Sequence, residues 1–296
     1  MRVRLVLLGL VLATLTPASA SAVSIYRSLP NTNMLLIHYR AHDGVMRRAW
    51  ILVPVHPRRK TIPLVISPHG RGTSARANAD LWGDLPGLGD FAVINPAGEG
   101  RRLALYSWGD PGQISDLARM PEIAKEHGVP VAFDRVYAIG GSMGGQETLL
   151  LLALHPRLLA GAVAFDPDTD MARRYWDFAK LPGGRALQKL AREEIGGTPL
   201  TDPRAYAVRS PDTYARQIAL SKVPLQLWWS SRDRVISDQV DETAALAEQI
   251  LGWNPRAPLT VFHGEWRHTA EMKWSTRLPQ ALVRLHLLRR SQAIQI

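Results

Sequence analysis

From residue 63 onward, short apolar runs alternate with stretches of helical periodicity. The runs fall at 63–67, 91–95, 135–139, 161–165, 224–229 and 258–262. Most are unbroken by polar residues, the pattern of strands buried on both faces of a parallel sheet. Upstream, 34–38 and 48–55 read as an antiparallel pair turned at Asp43-Gly44. Helical segments are predicted at 115–126, 146–154, 171–180, 238–251 and 277–288. This alternation predicts an α/β fold: a mostly parallel, doubly wound sheet with crossover helices, whose loops at the carboxyl ends of the strands carry the chemistry. The stretch 166–222 exceeds a simple crossover and is broken at Pro182-Gly183-Gly184 and Gly196-Gly197. It is expected to form a small cap.

Composition narrows the picture. A chain of 296 residues, 46% apolar and 21% charged, suits one α/β domain, expected over 23–296. Arg2 and Arg4, the apolar run 5–15 and the small residues Ala18-Ser19-Ala20 and Ala20-Ser21-Ala22 read as an export signal over 1–22. That run is too short to span a bilayer, and 136–158 is broken by glycines, Gln146, Glu147 and His155. The expectation is a secreted or cell-envelope protein without stable membrane insertion. With no cysteine, disulfides, thiolate metal sites and a cysteine nucleophile are excluded. The net charge of +10 is spread along the chain without a dense basic block, so no nucleic-acid partner is expected.

The strongest chemical signal is Gly140-Gly141-Ser142-Met143-Gly144-Gly145, between the apolar run ending at 139 and the helix starting at 146. A G-x-S-x-G sequence between strand and helix is the context of a nucleophile elbow. The serine there takes a strained backbone conformation, so its neighbours must lack side chains. A serine hydroxyl also needs a base, and the base needs an orienting group. Asp233 follows the 224–229 run, and His268 follows the 258–262 run. The order Ser142, Asp233, His268 is that of α/β-hydrolases. His263 stands at a strand end and reads as structural. Asp166, Asp168 and Asp170 follow the strand after the elbow, where some α/β-hydrolases keep their acid; they read as a turn and a helix cap before Met171 rather than a catalytic or metal site, since no glycine or distal glutamate completes a calcium loop.

With Arg209-Ser210-Pro211 and Lys222-Val223-Pro224 leading into the acid-bearing strand, the chain resembles secreted α/β-hydrolase esterases related to the prolyl-oligopeptidase catalytic domain. The loop Ser67-Pro68-His69-Gly70-Arg71-Gly72-Thr73 resembles that fold's oxyanion loop. It implies that the backbone amides of Arg71 and Met143 hold the developing oxyanion. His69, Gly70, Trp108 and Trp266 are the expected substrate-side residues. Tyr106, Trp228 and Trp229 are further aromatic candidates, the two tryptophans reading equally well as core. The resulting expectation is ester cleavage through an acyl-enzyme, with no metal or organic cofactor. The alternatives are a prolyl-oligopeptidase-like peptidase, an acyltransferase using the same triad, and a non-catalytic binding module on the same scaffold.

Overall fold

The computed structural model describes residues 25–273 and 277–293, so the expected export signal lies outside the described residues. Apolar runs become strands because each buries both faces: all residues of β4 (Ile62–Ile66), β5 (Ala92–Pro96), β7 (Gly161–Phe165) and β8 (Leu225–Ser230) are buried. β6 (Val131–Gly141) and the outer β9 (Leu259–Gly264) complete a six-stranded parallel array. An antiparallel ribbon of β1 (Ile25–Ser28), β2 (Thr32–Arg40) and β3 (Met46–Pro54) extends it. The strand order is β1-β2-β3-β5-β4-β6-β7-β8-β9. The reversal of order around β4 and β5 makes the sheet doubly wound, as the alternation predicted. The predicted turn at Asp43-Gly44 closes β2 onto β3, with Gly44 at φ 81° and Ala41 donating to the Val45 carbonyl.

Even within the continuous runs, alternate side chains face opposite layers. Leu64, Ile66 and Ile94 enter one core, and Val65, Val93 and Ile139 the other. The first core is covered by α3 (Pro111–Glu126), α4 (Met143–Leu154), α8 (Ala215–Leu220) and α9 (Ala245–Trp253); the second by α1 (Ala75–Asp80), α2 (Leu85–Gly89) and α11 (Arg277–Arg284). Leu149, Leu150, Leu151 and Leu152 of α4 are all fully buried, because this helix is enclosed by sheet on one side and by α3 and α8 on the other. Among the described residues no helix is long and apolar enough to cross a membrane.

The long 166–222 segment holds α5 (Met171–Phe178), α6 (Gly184–Ala191), a π-turn at Arg192–Gly196, α7 (Pro203–Ala207), a 3-10 turn at Pro211–Tyr214 and α8. Gly184 is pressed onto the Phe178 carbonyl, where a side chain would overlap the backbone, so the break at Pro182-Gly183-Gly184 is a tight corner between α5 and α6. These helices build a third, smaller core of Met171, Tyr175, Phe178, Ile195 and Tyr206 against Trp108 and Met143. α8 rejoins the main core through Ala215 and Ile218. Near the C-terminus, α10 (Ala270–Lys273) precedes α11, and α12 (Arg290–Ala293) follows it.

Candidate active site

Parallel strands bring their carboxyl ends to one edge, and five loops meet there. Ser142 sits between β6 and α4 at φ 57°, ψ −128°, a conformation costly for a residue with a side chain, on the order of 1–3 kcal/mol. Close packing maintains it. A Cβ on Gly140 would overlap the Gly144 carbonyl, and one on Gly144 would overlap the Pro68 carbonyl. The Ser142 amide donates to Phe165 O of β7 at 2.9 Å. Met143 begins α4, so its amide has no acceptor within the helix.

After β8, the Asp233 carboxylate accepts from the amides of Val235 (2.8 Å) and Ile236 (3.0 Å) and from Gln239 Nε2 (3.1 Å). His268 Nδ1 donates to Asp233 Oδ2 at 2.6 Å. Burial pushes the Asp233 pKa up, but these donors, His268 above all, outweigh it and hold the carboxyl below its usual range. Because Nδ1 carries the shared proton, the neutral ring presents its lone pair at Nε2. That atom is buried and has no hydrogen-bond partner among the described residues. Ser142 and His268 border the same cleft, about 220 Å³, together with Gly70, Arg71, Thr73, Asn78, Gly141, Val235, Thr269 and Met272.

The loop after β4 forms the opposite wall. Asn78 Nδ2 contacts Ser67 O (3.0 Å), Ser67 Oγ (3.0 Å) and Asn95 Oδ1 (2.9 Å), and Trp82 Nε1 donates to Ser67 Oγ, pinning the loop's start. His69 is buried, and burial lowers its basicity; its Nδ1 meets Gly70 O at 3.0 Å. Its ring therefore shapes the loop from inside, whereas Gly70 and Arg71 reach the cleft. Among the described residues the Arg71 amide donates no backbone hydrogen bond.

Neither tryptophan expected on the substrate side lines this cleft. Trp108, at φ 42°, is buried against Phe178 and Tyr106, and its amide points at Met143 Sδ (3.2 Å). It backs Met143, the residue after Ser142. Trp266 gives its indole N–H to Asp166 Oδ2 at 3.0 Å. His263 is stacked on Trp229, with ring centroids 4.0 Å apart, and Trp228 is stacked on Phe262, a structural arrangement for both pairs.

Several residues of the site carry no sequence signature. The sequence favours a turn at Asp166, but its carboxylate lies within 4.8 Å of the polar atoms of Asp233 and His268 and also accepts from the Thr269 amide at 2.7 Å. It anchors both sides of the histidine. Asp170, by contrast, caps α5 as expected, accepting from Ala172 and Arg173. Ser230 Oγ donates to Trp266 O (2.6 Å) and accepts from Trp266 N (2.8 Å), joining the acid loop to the histidine loop. Arg209 clamps the Ser107–Asp110 turn: its guanidinium donates to Ser107 O (2.7 Å) and to Asp110 Oδ2 (2.6 Å), and its carbonyl accepts from Gln146 of α4. Beneath that turn Glu147 is wholly buried, accepting from Ser107 Oγ, and burial pushes it up to about 7.

Among the described residues two carboxylate–histidine groupings have spacing compatible with a metal ion: Asp166 with Asp233 and His268, and His42 with Glu99 and Asp116. In each the carboxylates already face donors. Arg47 Nε lies 3.2 Å from Glu99, and Arg119 Nη1 lies 2.6 Å from Asp116. A larger groove, about 1530 Å³, lies at the amino ends of β8 and β9 beside α11 and α12. It is at the sheet edge opposite Ser142, so the smaller cleft is the one that joins the reactive groups.

Among curated protein sequences none matches the chain. Among solved structures it is similar to a bacterial heroin esterase (TM-score 0.67, 15% identity, covering 90% of this chain and 86% of that one). It is similar also to an S-formylglutathione hydrolase from Agrobacterium tumefaciens (TM-score 0.65, 12% identity, 88% and 96%). A third likeness is to an acylaminoacyl peptidase from Pyrococcus horikoshii (TM-score 0.64, 16% identity, 86% of this chain but only 42% of that one). These likenesses show the α/β-hydrolase fold. Residues 92–250, more than half of the sequence and including Ser142 and Asp233, match the prolyl oligopeptidase family, and the chain belongs to that family of serine hydrolases.

Proposed function

We propose that the protein hydrolyses carboxylic esters through an acyl-enzyme on Ser142. One observation carries this reading: the Asp233-bound His268, whose Nε2 has no partner among the described residues, lines the same cleft as Ser142 at its strained turn. In the first step the Ser142 proton passes to His268 Nε2 as Oγ bonds to the ester carbonyl carbon. Asp233, held ionised by its donors, stabilises the imidazolium that results. The negative charge on the carbonyl oxygen is received by the amides of Met143 and Arg71, helped by the positive end of α4. The imidazolium then protonates the departing alcohol. Water, deprotonated by the same histidine, releases the acid and restores Ser142.

Esters are favoured over amides by the extent of the likenesses. The chain covers 96% of the S-formylglutathione hydrolase and 86% of the heroin esterase but only 42% of the peptidase. The 171–207 helices act as a cap whose core supports Met143 and Trp108 behind the oxyanion site. The export pattern in 1–22 supports action outside the cytoplasm. The test is turnover of p-nitrophenyl esters and matched p-nitroanilides by the wild-type protein and Ser142→Ala. Ester turnover that disappears in the variant is expected. Faster anilide cleavage would make the protein a peptidase, and acyl transfer to an added alcohol outpacing hydrolysis would make it a transferase.

A further inference from the structure

The cleft contains a cation without a counter-ion. Arg71 lines it beside Ser142, is only partly exposed, and makes no hydrogen bond or ion pair among the described residues. Its guanidinium lies over the Phe178 ring, 5.5 Å from the centroid. Arg174 lies over the same ring at 4.8 Å, so two guanidiniums share one aromatic ring. Arg174 is buried; its Nε pairs with Asp168 at 3.3 Å, while its Nη1 has no partner among the described residues. Asp168 does not compensate for both charges. Buried and close to Glu242, it has a pKa well above the usual carboxylate range. Burial, and after it the nearby Arg174, lower the Arg71 pKa, and the opposing pull of Asp168 does not cancel them.

We propose that the Arg71 side chain is a carboxylate-binding subsite, so that the preferred substrates carry an anionic group next to the scissile ester. Arg71 makes the contact, since its planar fork matches a carboxylate. Arg174, behind it, adds positive potential and shares the Phe178 platform. The inference rests on the cleft of Ser142 being the reacting site, and it assigns a second role to a residue whose amide already serves the oxyanion.

The test compares kcat/KM for mono-p-nitrophenyl glutarate and p-nitrophenyl pentanoate, with a second pair carrying the carboxylate on the leaving group, 4-butyryloxybenzoate against phenyl butyrate. The readout is the anionic-to-neutral ratio in wild type, Arg71→Lys, Arg71→Gln and Arg71→Glu. In one of the two pairs the ratio should fall roughly tenfold or more in Arg71→Gln and further in Arg71→Glu. Arg71→Lys should retain part of it, and added salt should reduce the wild-type ratio. Ratios that stay constant across all four proteins in both pairs would overturn the subsite while leaving the ester hydrolase intact. A separate calorimetric titration with glutarate does not depend on turnover. Binding by wild type that Arg71→Gln loses supports the subsite even if no ester is cleaved, and equal or absent binding in both counts against it.

Discussion

Gly144 is where the turn carrying Ser142 touches the 68–70 loop proposed to hold the oxyanion, and adding one methyl there tests whether that contact sets the rate. In Gly144→Ala the new Cβ would overlap the Pro68 carbonyl and crowd the backbone of His69. The backbone of α4 cannot retreat, because Met143 is packed in the third core and Leu149 in the first. The 68–70 strand-to-loop segment must therefore yield, by about 1 Å before carbon and oxygen reach van der Waals distance. Such overpacking costs about 1–3 kcal/mol of stability. A displacement of about 1 Å at an oxyanion donor is expected to lower kcat by about 10²-fold, or about 2.7 kcal/mol of transition-state stabilisation. The assay is p-nitrophenyl butyrate turnover beside a thermal melt. Loss of kcat at a temperature where the variant is fully folded is expected. A folded variant with wild-type kcat would refute the reasoning, since the contact would then have no part in holding the oxyanion loop.

Ser230→Ala removes both hydrogen bonds that tie the acid loop to Trp266; a loss of about 1–3 kcal/mol in urea unfolding and a fall in kcat are expected, and an unchanged kcat would separate the loop tie from catalysis. Glu147 has a folded pKa raised to about 7, so between pH 4.5 and 7 the folded state binds more protons than the unfolded one. Its contribution is therefore present at low pH and lost as pH rises through 7, with a slope of about −1.4 kcal/mol per pH unit. Glu147→Gln should flatten the pH dependence of the unfolding midpoint over that window, and parallel curves for the two proteins would contradict the assignment. Leu150→Ala, in the enclosed helix after Ser142, is expected to cost about 2–5 kcal/mol in denaturant unfolding. A cost below about 1 kcal/mol would mean that α4 repacks freely.

How much of this was legible in the sequence depended on whether a role is local. The buried strands were readable because burial on both faces leaves an unbroken apolar run, as in Ile62–Ile66 and Gly161–Phe165. β1 was not, since its four residues are all exposed and are held by pairing with β2. Inside 166–222 the glycine breaks were visible, but the short helices between them take their order from Trp108 and Met143, which lie far away in the chain. Ser142, Asp233 and His268 could be proposed from strand–loop context and chain order, and the structure brings the acid and the imidazole together. The contacts of Asp166 and Ser230 could not, because each acts on residues 36 to 103 positions away through a hydrogen bond that no motif encodes. Trp266 had the right loop but a different partner: its N–H is taken by Asp166.

The central claim is that His268 activates Ser142 as a nucleophile. Peptide mass spectrometry after treatment with a fluorophosphonate measures this directly. The account predicts a single phosphonyl adduct on Ser142, formed at least about 10²-fold more slowly in His268→Gln, where no base remains to take the serine proton. An unmodified Ser142 in protein that still cleaves esters, or equal labelling rates with and without the imidazole, would contradict it.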